Sequence, residues 1–344
     1  MPPRSYYNSP RASDYIAFAR AYFPDEQEQA NSFVNTYNLP YISSSHHIAA
    51  YLGISSALVR QIMHNPNYHY RVFPIQKSSG DPRMISTPKT YLKVMQWWIN
   101  DNILNKIQLS ESVHGFRKGK SYITNARVHF GARHILNVDI KSFFDNITTP
   151  QIANVFSSIG YCESGSLTLA ALTSKQGKAP TGAPTSPMIA NAIFLKADEQ
   201  LIEFARSKGL RYTRYADDLT FSSDHRIDEE VVGKVNAIVK SSGFQLNDKK
   251  TKFMGPGDRQ EVTGIIINER MNLSKEWRNF ARGYIHSILS NPSGNIQEMG
   301  RLLGIYGVLL QVDQNKESNL TKNAYKAIRI LKDTEQTTTH AEPS

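Results

Sequence analysis

The stretch Tyr212-Thr-Arg-Tyr-Ala-Asp-Asp-Leu-Thr-Phe-Ser222 reads as a strand, a tight turn and a second strand, with Tyr215-Ala216-Asp217-Asp218 at the turn. Two adjacent acids between apolar strands are costly to place unless something cationic offsets them. A hairpin turn projects both carboxylates from one end, where a divalent metal can reach them. Mg²⁺ prefers a few carboxylates completed by water and substrate phosphates. Asp is also common in solvated turns. These four residues alone therefore leave a metal site and an ordinary turn evenly matched.

A second acid shifts that balance. His134-Ile-Leu-Asn-Val-Asp139-Ile-Lys-Ser-Phe-Phe144 predicts a buried strand over Ile135 to Ile140, with Asp139 near its end and a Phe pair beyond. A lone acid there is most simply a cap. Together with the Asp217-Asp218 turn it suggests a two-metal phosphoryl-transfer site, which needs carboxylates from separate strands. A third element is Ala179-Pro-Thr-Gly182-Ala-Pro-Thr-Ser186-Pro187, followed by an apolar run to Leu195. Gly and Pro mark a loop. Ser186 then Pro187 fits a helix cap and first helical position, and Ile189, Ile193, Phe194 and Ala197 fit one helix face. A helix N-terminus delivered beside a metal site suits a phosphate, although by itself this is an ordinary capped helix.

In this order, Asp139 with Phe144, the Gly182-to-Pro187 loop and Tyr215-to-Asp218 resemble the successive palm motifs of reverse transcriptases. Two flanking elements, Asn125-Ala-Arg-Val-His129 and Val262-Thr263-Gly264, are similar to signatures of bacterial retron reverse transcriptases. The resemblance covers roughly residues 39 to 335. It implies an α+β right-hand polymerase with fingers (39–130), a palm of antiparallel sheet and helices (131–268) and a helical thumb (269–335). An N-terminal extension (1–38) of unassigned role precedes them, and a disordered tail (336–344) follows.

The resemblance also implies roles for individual residues. Asp139, Asp217 and Asp218 would hold two Mg²⁺ ions, with Mn²⁺ a possible substitute. Phe144 would crowd the sugar 2′ position and exclude ribonucleotides, leaving Phe143 to the core. Lys77 and Arg83, flanking a hairpin turn, would meet the incoming triphosphate, where Arg suits bidentate contact. Gly182 and Ala183 would line the nucleotide. Lys250 could protonate the leaving pyrophosphate. Asn125, His129, Val262, Thr263 and Gly264 would contact RNA. Asn125 and His129 share a helix face, so a satisfied structural pair is an equal reading for them. Thr181 departs from the family, where Gln usually precedes the loop Gly.

Composition agrees with a polyanionic partner without requiring one. The 344 residues carry 40 Lys and Arg against 30 Asp and Glu, a net charge of +10. Residues 60 to 133 hold twelve of those bases against three acids. The single cysteine, Cys162, excludes an internal disulfide and a Cys-rich zinc site. With no 18-residue apolar run and no signal-peptide pattern, a cytoplasmic protein without membrane contact is expected.

Helical spacing is predicted for Ser13 to Phe23, for Ile48 to Met63 as one or two short helices (Leu52, Leu58 and Ile62 inward), for Tyr91 to Ile107, and for a palm segment with Val231, Val235, Ile238 and Val239 on one face. A hairpin is predicted around residues 77–81. Val262-Thr263-Gly264 is expected to open a strand at Ile265, and helices resume after Ser274. No nuclease-like pattern follows, so removal of RNA would fall to another protein.

The family reading implies an enzyme that copies part of its own structured noncoding RNA into branched multicopy single-stranded DNA (msDNA). Its primer would be a guanosine 2′-hydroxyl in that RNA, its substrates dNTPs, and its setting phage defence beside an effector protein. The alternatives are a group II intron maturase, a diversity-generating enzyme, or an inactive palm serving as an RNA scaffold.

Overall fold

The structure, a computed structural model, describes residues 11–76, 82–313 and 315–339. In chain order the first elements are α1 (Ala12–Tyr22), α2 (Gln27–Tyr37), α3 (Ser45–Leu52), α4 (Ser56–His64), β1 (Tyr70–Gln76), β2 (Pro82–Pro88), α5 (Thr90–Asn102), α6 (Tyr122–His129) and β3 (His134–Asp139). They continue with α7 (Thr149–Ser158), α8 (Glu163–Thr173), α9 (Ser186–Ile193), α10 (Leu195–Ser207), β4 (Arg211–Tyr215), β5 (Asp218–Ser223) and α11 (Glu229–Ser241). The last are β6 (Lys252–Met254), β7 (Glu261–Val262), β8 (Ile265–Ile266), β9 (Asn272–Leu273), α12 (Lys275–Ser290), α13 (Met299–Val312) and α14 (Asn319–Thr339). Two compact units interleave along this order. One comprises residues to Arg117, Asp139–Phe204 and Glu229–Lys249; the other comprises Lys118–Val138, Ala205–Asp228 and Lys250 onward.

In the first unit, β1 and β2 form an antiparallel hairpin running from Tyr70↔Pro88 to Gln76↔Pro82. Helices α1 to α5 and α7 to α11 surround an aromatic and aliphatic core. Of the N-terminal extension that the sequence leaves without a role, Tyr15, Ala19, Phe23, Ala30 and Val34 belong to this core. Tyr15 is buried and donates to Asn102 Oδ1 at 2.9 Å, while Phe18 stacks on Tyr51 and Tyr51 on Trp98. Gln96 of α5 donates to the Leu172 carbonyl of α8 at 2.9 Å, joining elements 76 positions apart. In α11, Val231, Val235, Ile238 and Val239 form the buried stripe that their spacing predicts.

The second unit is built on a four-stranded antiparallel sheet of order β4-β5-β3-β6. A second sheet, β7-β8-β9, is covered by the C-terminal helices. Ile123 and Ala126 of α6, Val262, Ile265 and Leu273 of the small sheet, and Ala281, Leu302 and Leu331 of α12, α13 and α14 share one apolar cluster. Helix α6 starts with a capping box, in which Ser121 accepts from the Thr124 amide and Thr124 from the Ser121 amide.

Several expectations shift. Helix α5 ends at Asn102, not Ile107, because Ile103 leaves helical backbone and a 3₁₀ turn follows. Residues 48–63 fall in two helices, α3 and α4, within the one or two expected, separated at Gly53 with φ 63°. There Val59 and Ile62 are buried, whereas Leu52 and Leu58 are only half-buried. Helix α14 runs to Thr339, past the expected start of a tail at 336, and residues 340–344 lie outside those described.

Candidate active site

The predicted β4–β5 hairpin forms, with Tyr215 opposite Asp218 and Thr213 opposite Thr220. Its strands are buried along most of their length. The turn is made possible by Ala216, whose φ of 58° is left-handed, a conformation that costs a non-glycine residue about 1 kcal/mol. Arg214 holds the turn in place: the side chain is 0% exposed and Nη1 donates to the Ala216 carbonyl at 3.1 Å. Tyr212 packs on Phe221 across the strands at 4.9 Å between ring centres. Asp217 is half-buried and Asp218 exposed. Arg214 lay unremarked in the sequence, although an arginine among apolar strand residues is itself a signal of a buried hydrogen-bonding task.

Asp139 ends β3 and is 6% exposed. Its backbone carbonyl accepts from the Asn247 amide at 2.8 Å, and Asn247 Nδ2 donates to Asp139 Oδ2 at 3.4 Å. The Lys141 amide donates to the Gln245 carbonyl at 2.8 Å, and Ile140 bridges Leu246, so residues 245–247 run beside the acid as an extra edge. Asn247 is a second residue that motif reading missed; its place two positions before the Lys249-Lys250 pair was the available hint. Both lysines are exposed.

Phe143 and Phe144 divide as expected in burial. Phe143 is buried against Phe194 and Phe244, whereas Phe144 is half-buried, with its ring edge toward Phe116 at 6.2 Å. The Gly182 loop lies against β2. The Thr181 carbonyl accepts from the Ser86 amide at 2.8 Å. Gly182 has φ 114°, and a Cβ there would sit 2.8 Å from Ile85 Cγ2. Glycine is therefore required by close approach as well as by backbone conformation. The backbone of Thr181 makes this contact, which any side chain allows. Ala183 is buried.

Ser186 corrects the capping expectation. It is the first residue of α9, not its cap, and its hydroxyl donates to the Pro180 carbonyl at 2.8 Å, tying the loop to the helix. The single helix face expected for Ile189 to Ala197 is also broken, because Phe194 is a turn between α9 and α10; Ile189, Phe194 and Ala197 are buried and Ile193 half-buried. Arg83 is exposed on β2 opposite Ile75, at the end of the hairpin where a triphosphate contact was expected. Lys77 lies outside the described residues.

The flanking motifs sit together in the second unit. Val262 is buried and ends β7; Thr263 and Gly264, with φ of 48° and 81°, form the two-residue turn into β8. The motif therefore makes a hairpin turn where a strand opening was expected. Thr263 Oγ1 donates to the Tyr122 carbonyl of α6 at 2.8 Å. The Tyr122 phenol is held above its usual range by burial and then by nearby Tyr215. Asn125 is buried, and its amide oxygen and nitrogen have no partner among the described residues. His129 is 0% exposed, with Nδ1 2.7 Å from Ser222 Oγ and Nε2 2.7 Å from Thr213 Oγ1. An RNA contact by this imidazole is not available in this arrangement, because both nitrogens face protein hydroxyls.

Beside α6 lies a cleft of about 750 Å³, lined by Arg127, Arg270, Arg278, Arg282, Phe130 and Asn323 among others. The Nε of Arg278 is buried there without a hydrogen-bond partner among the described residues. Among the described residues no group of three or more His, Cys, Asp or Glu is gathered as a ready-made metal cage. The donors at Asp139, Asp217 and Asp218 are hard carboxylate oxygens. These suit a cation that takes one or two carboxylates and completes its shell with water and substrate phosphates. No helix among the described residues is long and apolar enough to cross a membrane.

The family model for reverse transcriptase (RNA-dependent DNA polymerase) matches residues 75–278. The chain is 34% identical over 300 residues to the Retron Ec86 reverse transcriptase of Escherichia coli, covering 85% of this chain and 92% of that one. It is 34% identical over 293 residues to the Retron Mx65 reverse transcriptase of Myxococcus xanthus (78% and 67% covered). It is 28% identical to the Retron Se72 reverse transcriptase of Salmonella heidelberg over 296 residues (78% of each). Members of the family use divalent metal ions and an RNA template. The chain belongs to the reverse transcriptase family: it is an RNA-directed DNA polymerase of the retron type, with the right-hand fold of that family.

Proposed function

We propose that the enzyme copies part of a cognate structured noncoding RNA into msDNA, starting from a guanosine 2′-hydroxyl of that RNA, as one component of an anti-phage system with a neighbouring effector protein. Asp139, Asp217 and Asp218 form the catalytic carboxylates. The observation that carries this reading is the sheet order. Strand β5, which begins at Asp218, is the neighbour of β3, which ends at Asp139. The Arg133 amide donates to the Ser223 carbonyl, so the start of β3 meets the end of β5 and the strands run antiparallel. Such a pair presents its acids at the same edge of the sheet.

Two Mg²⁺ ions, when bound, lower the cost of deprotonating the primer hydroxyl and of charge on the departing pyrophosphate. The chain's own residues position and select. Asp139 is held by Asn247, and the turn acids by Arg214. Phe144 excludes the 2′-hydroxyl of a ribonucleotide. Arg83 and Lys77 bind the triphosphate of the incoming dNTP, and the backbone at Gly182 and Ala183 lines its base and sugar. Lys250 supplies a proton to pyrophosphate. RNA is held by the second unit, where buried Val262 leads into a turn next to α6 formed by half-buried Thr263 and exposed Gly264. The arginine-lined cleft supports this, since guanidinium forks suit phosphate oxygens. The test is the double variant Asp217→Ala, Asp218→Ala. DNA synthesis on the cognate RNA drops at least about a thousandfold while RNA affinity stays within about twofold. Retained synthesis would refute the metal assignment, and an active enzyme that yields no branched RNA–DNA product would refute the msDNA reading.

A further inference from the structure

We propose that His129 is a positioning residue for the paired carboxylates, pinning β4 to β5 and thereby fixing where Asp217 and Asp218 stand. This rests on the reading of those acids as metal ligands. The expectation that His129 touches RNA has no support in its surroundings, since the ring is wholly buried with a hydroxyl on each nitrogen.

The geometry is that of a clamp across two strands. Thr213 belongs to β4 and Ser222 to β5, and the register pairs Thr213 with Thr220 and Ser222 with Arg211. Side chains alternate along a strand, so Thr213, Ser222, Thr220 and Asp218 share one face of the hairpin. The imidazole spans that face diagonally, with one hydroxyl from each strand 2.7 Å from one nitrogen. A neutral imidazole offers one donor and one acceptor, and hydroxyls match either. A one-residue slip of β4 against β5 would turn each slipped side chain to the other face and break a tether. Thr213 lies four residues before Asp217, and Ser222 four after Asp218, so each tether acts roughly 13 Å from the turn. Metal-binding groups need placement within about 0.5 Å, and β4 is the edge strand of its sheet, with β5 as its sheet neighbour.

The clamp itself is anchored. Arg211 Nη1, at the start of β4, donates to the Phe130 carbonyl at 3.1 Å just past the end of α6. Thr263 fixes the other end of α6 through the Tyr122 carbonyl. His129 therefore projects from a helix held at both ends, and the Asn-Ala-x-x-His element acts as a strut for the acidic turn.

The experiment uses the full chain with near-isosteric Thr213→Val, with Ser222→Ala, and with His129→Gln and His129→Ala. Four quantities are read: steady-state synthesis on a primed RNA template, Mn²⁺ binding to the nucleic-acid-free protein by electron paramagnetic resonance, backbone hydrogen exchange over residues 211–223, and RNA affinity. The expected result for Thr213→Val is a ten- to thirtyfold fall in kcat with little change in KM for dNTP. Mn²⁺ binding weakens severalfold and exchange in the hairpin quickens, with melting temperature and RNA affinity nearly unchanged. His129→Gln, which keeps an amide donor and acceptor, retains more activity than His129→Ala. Folded Thr213→Val and Ser222→Ala proteins with unaltered hairpin exchange and unaltered Mn²⁺ binding overturn the proposal, as does a loss confined to RNA affinity. Asp217→Ala separates the two readings. If it keeps synthesis and Mn²⁺ binding, the metal assignment fails, whereas hairpin exchange still reports on the clamp. If it loses both while the Thr213 and Ser222 variants behave as wild type, the clamp alone fails.

Discussion

The two long hairpins of this protein have the same pairing and opposite surroundings. In β4–β5 nearly every strand residue is buried, a 0% exposed arginine holds the turn carbonyl, and a 0% exposed histidine stands against both strands. In β1–β2 the residues of β1 beyond Tyr70 and the first three of β2 are exposed, including Val72, Phe73, Ile75 and Met84, and only the base of β2 is half-buried to buried. Its fastening is at the base: the Ser86 amide to the Thr181 carbonyl, and Lys175 Nζ to Ser86 Oγ at 3.0 Å. The turn proposed to present two carboxylates is tied on several sides. The hairpin proposed to meet an incoming nucleotide carries its basic residue Arg83 on an open strand.

That contrast can be broken at graded points. The largest stability effect is expected at Arg214. Arg214→Met strands the Ala216 carbonyl and removes a buried charged donor, costing about 2 kcal/mol. It appears as a drop of several degrees in melting temperature together with weaker Mn²⁺ binding, and Arg214→Lys does not restore it because the planar fork is lost. Next is Arg83→Ala on the open hairpin, which raises KM for dNTP about tenfold, or about 1.4 kcal/mol, and leaves melting unchanged; an unaltered KM removes Arg83 from triphosphate contact. Ala216→Gly is smaller. Glycine relieves the left-handed strain at the turn but loosens the unfolded chain, so stability stays within about 1 kcal/mol while hairpin exchange and kcat report any loss of rigidity. The smallest is Val72→Thr, which shifts chemical denaturation by less than about 0.5 kcal/mol. A larger effect there would show that the open hairpin is packed after all.

Much of the site could be read in one dimension because its signals are local. Asp139 at the end of an apolar strand, the acidic pair in a two-strand run, and the Gly-Pro loop before an apolar helix each depend on residues within ten positions of one another. The structure returns those elements with small adjustments, such as Ser186 entering α9 and Phe194 breaking it. The residues that position the site were less legible because their partners are distant. Asn247 meets Asp139 across 108 positions and His129 meets Ser222 across 93, and neither pairing leaves a periodic trace.

Residue order alone was enough to place the chain among RNA-directed DNA polymerases, since metal-assisted phosphoryl transfer admits few side-chain types at few spacings. Three-dimensional packing was needed to separate the roles of neighbouring residues: which Phe is buried, why Gly182 has no room for a Cβ, and why His129 faces two strands and not solvent. Those outcomes depend on what a side chain meets when remote segments close on it, and burial and hydrogen-bond satisfaction are properties of the folded neighbourhood.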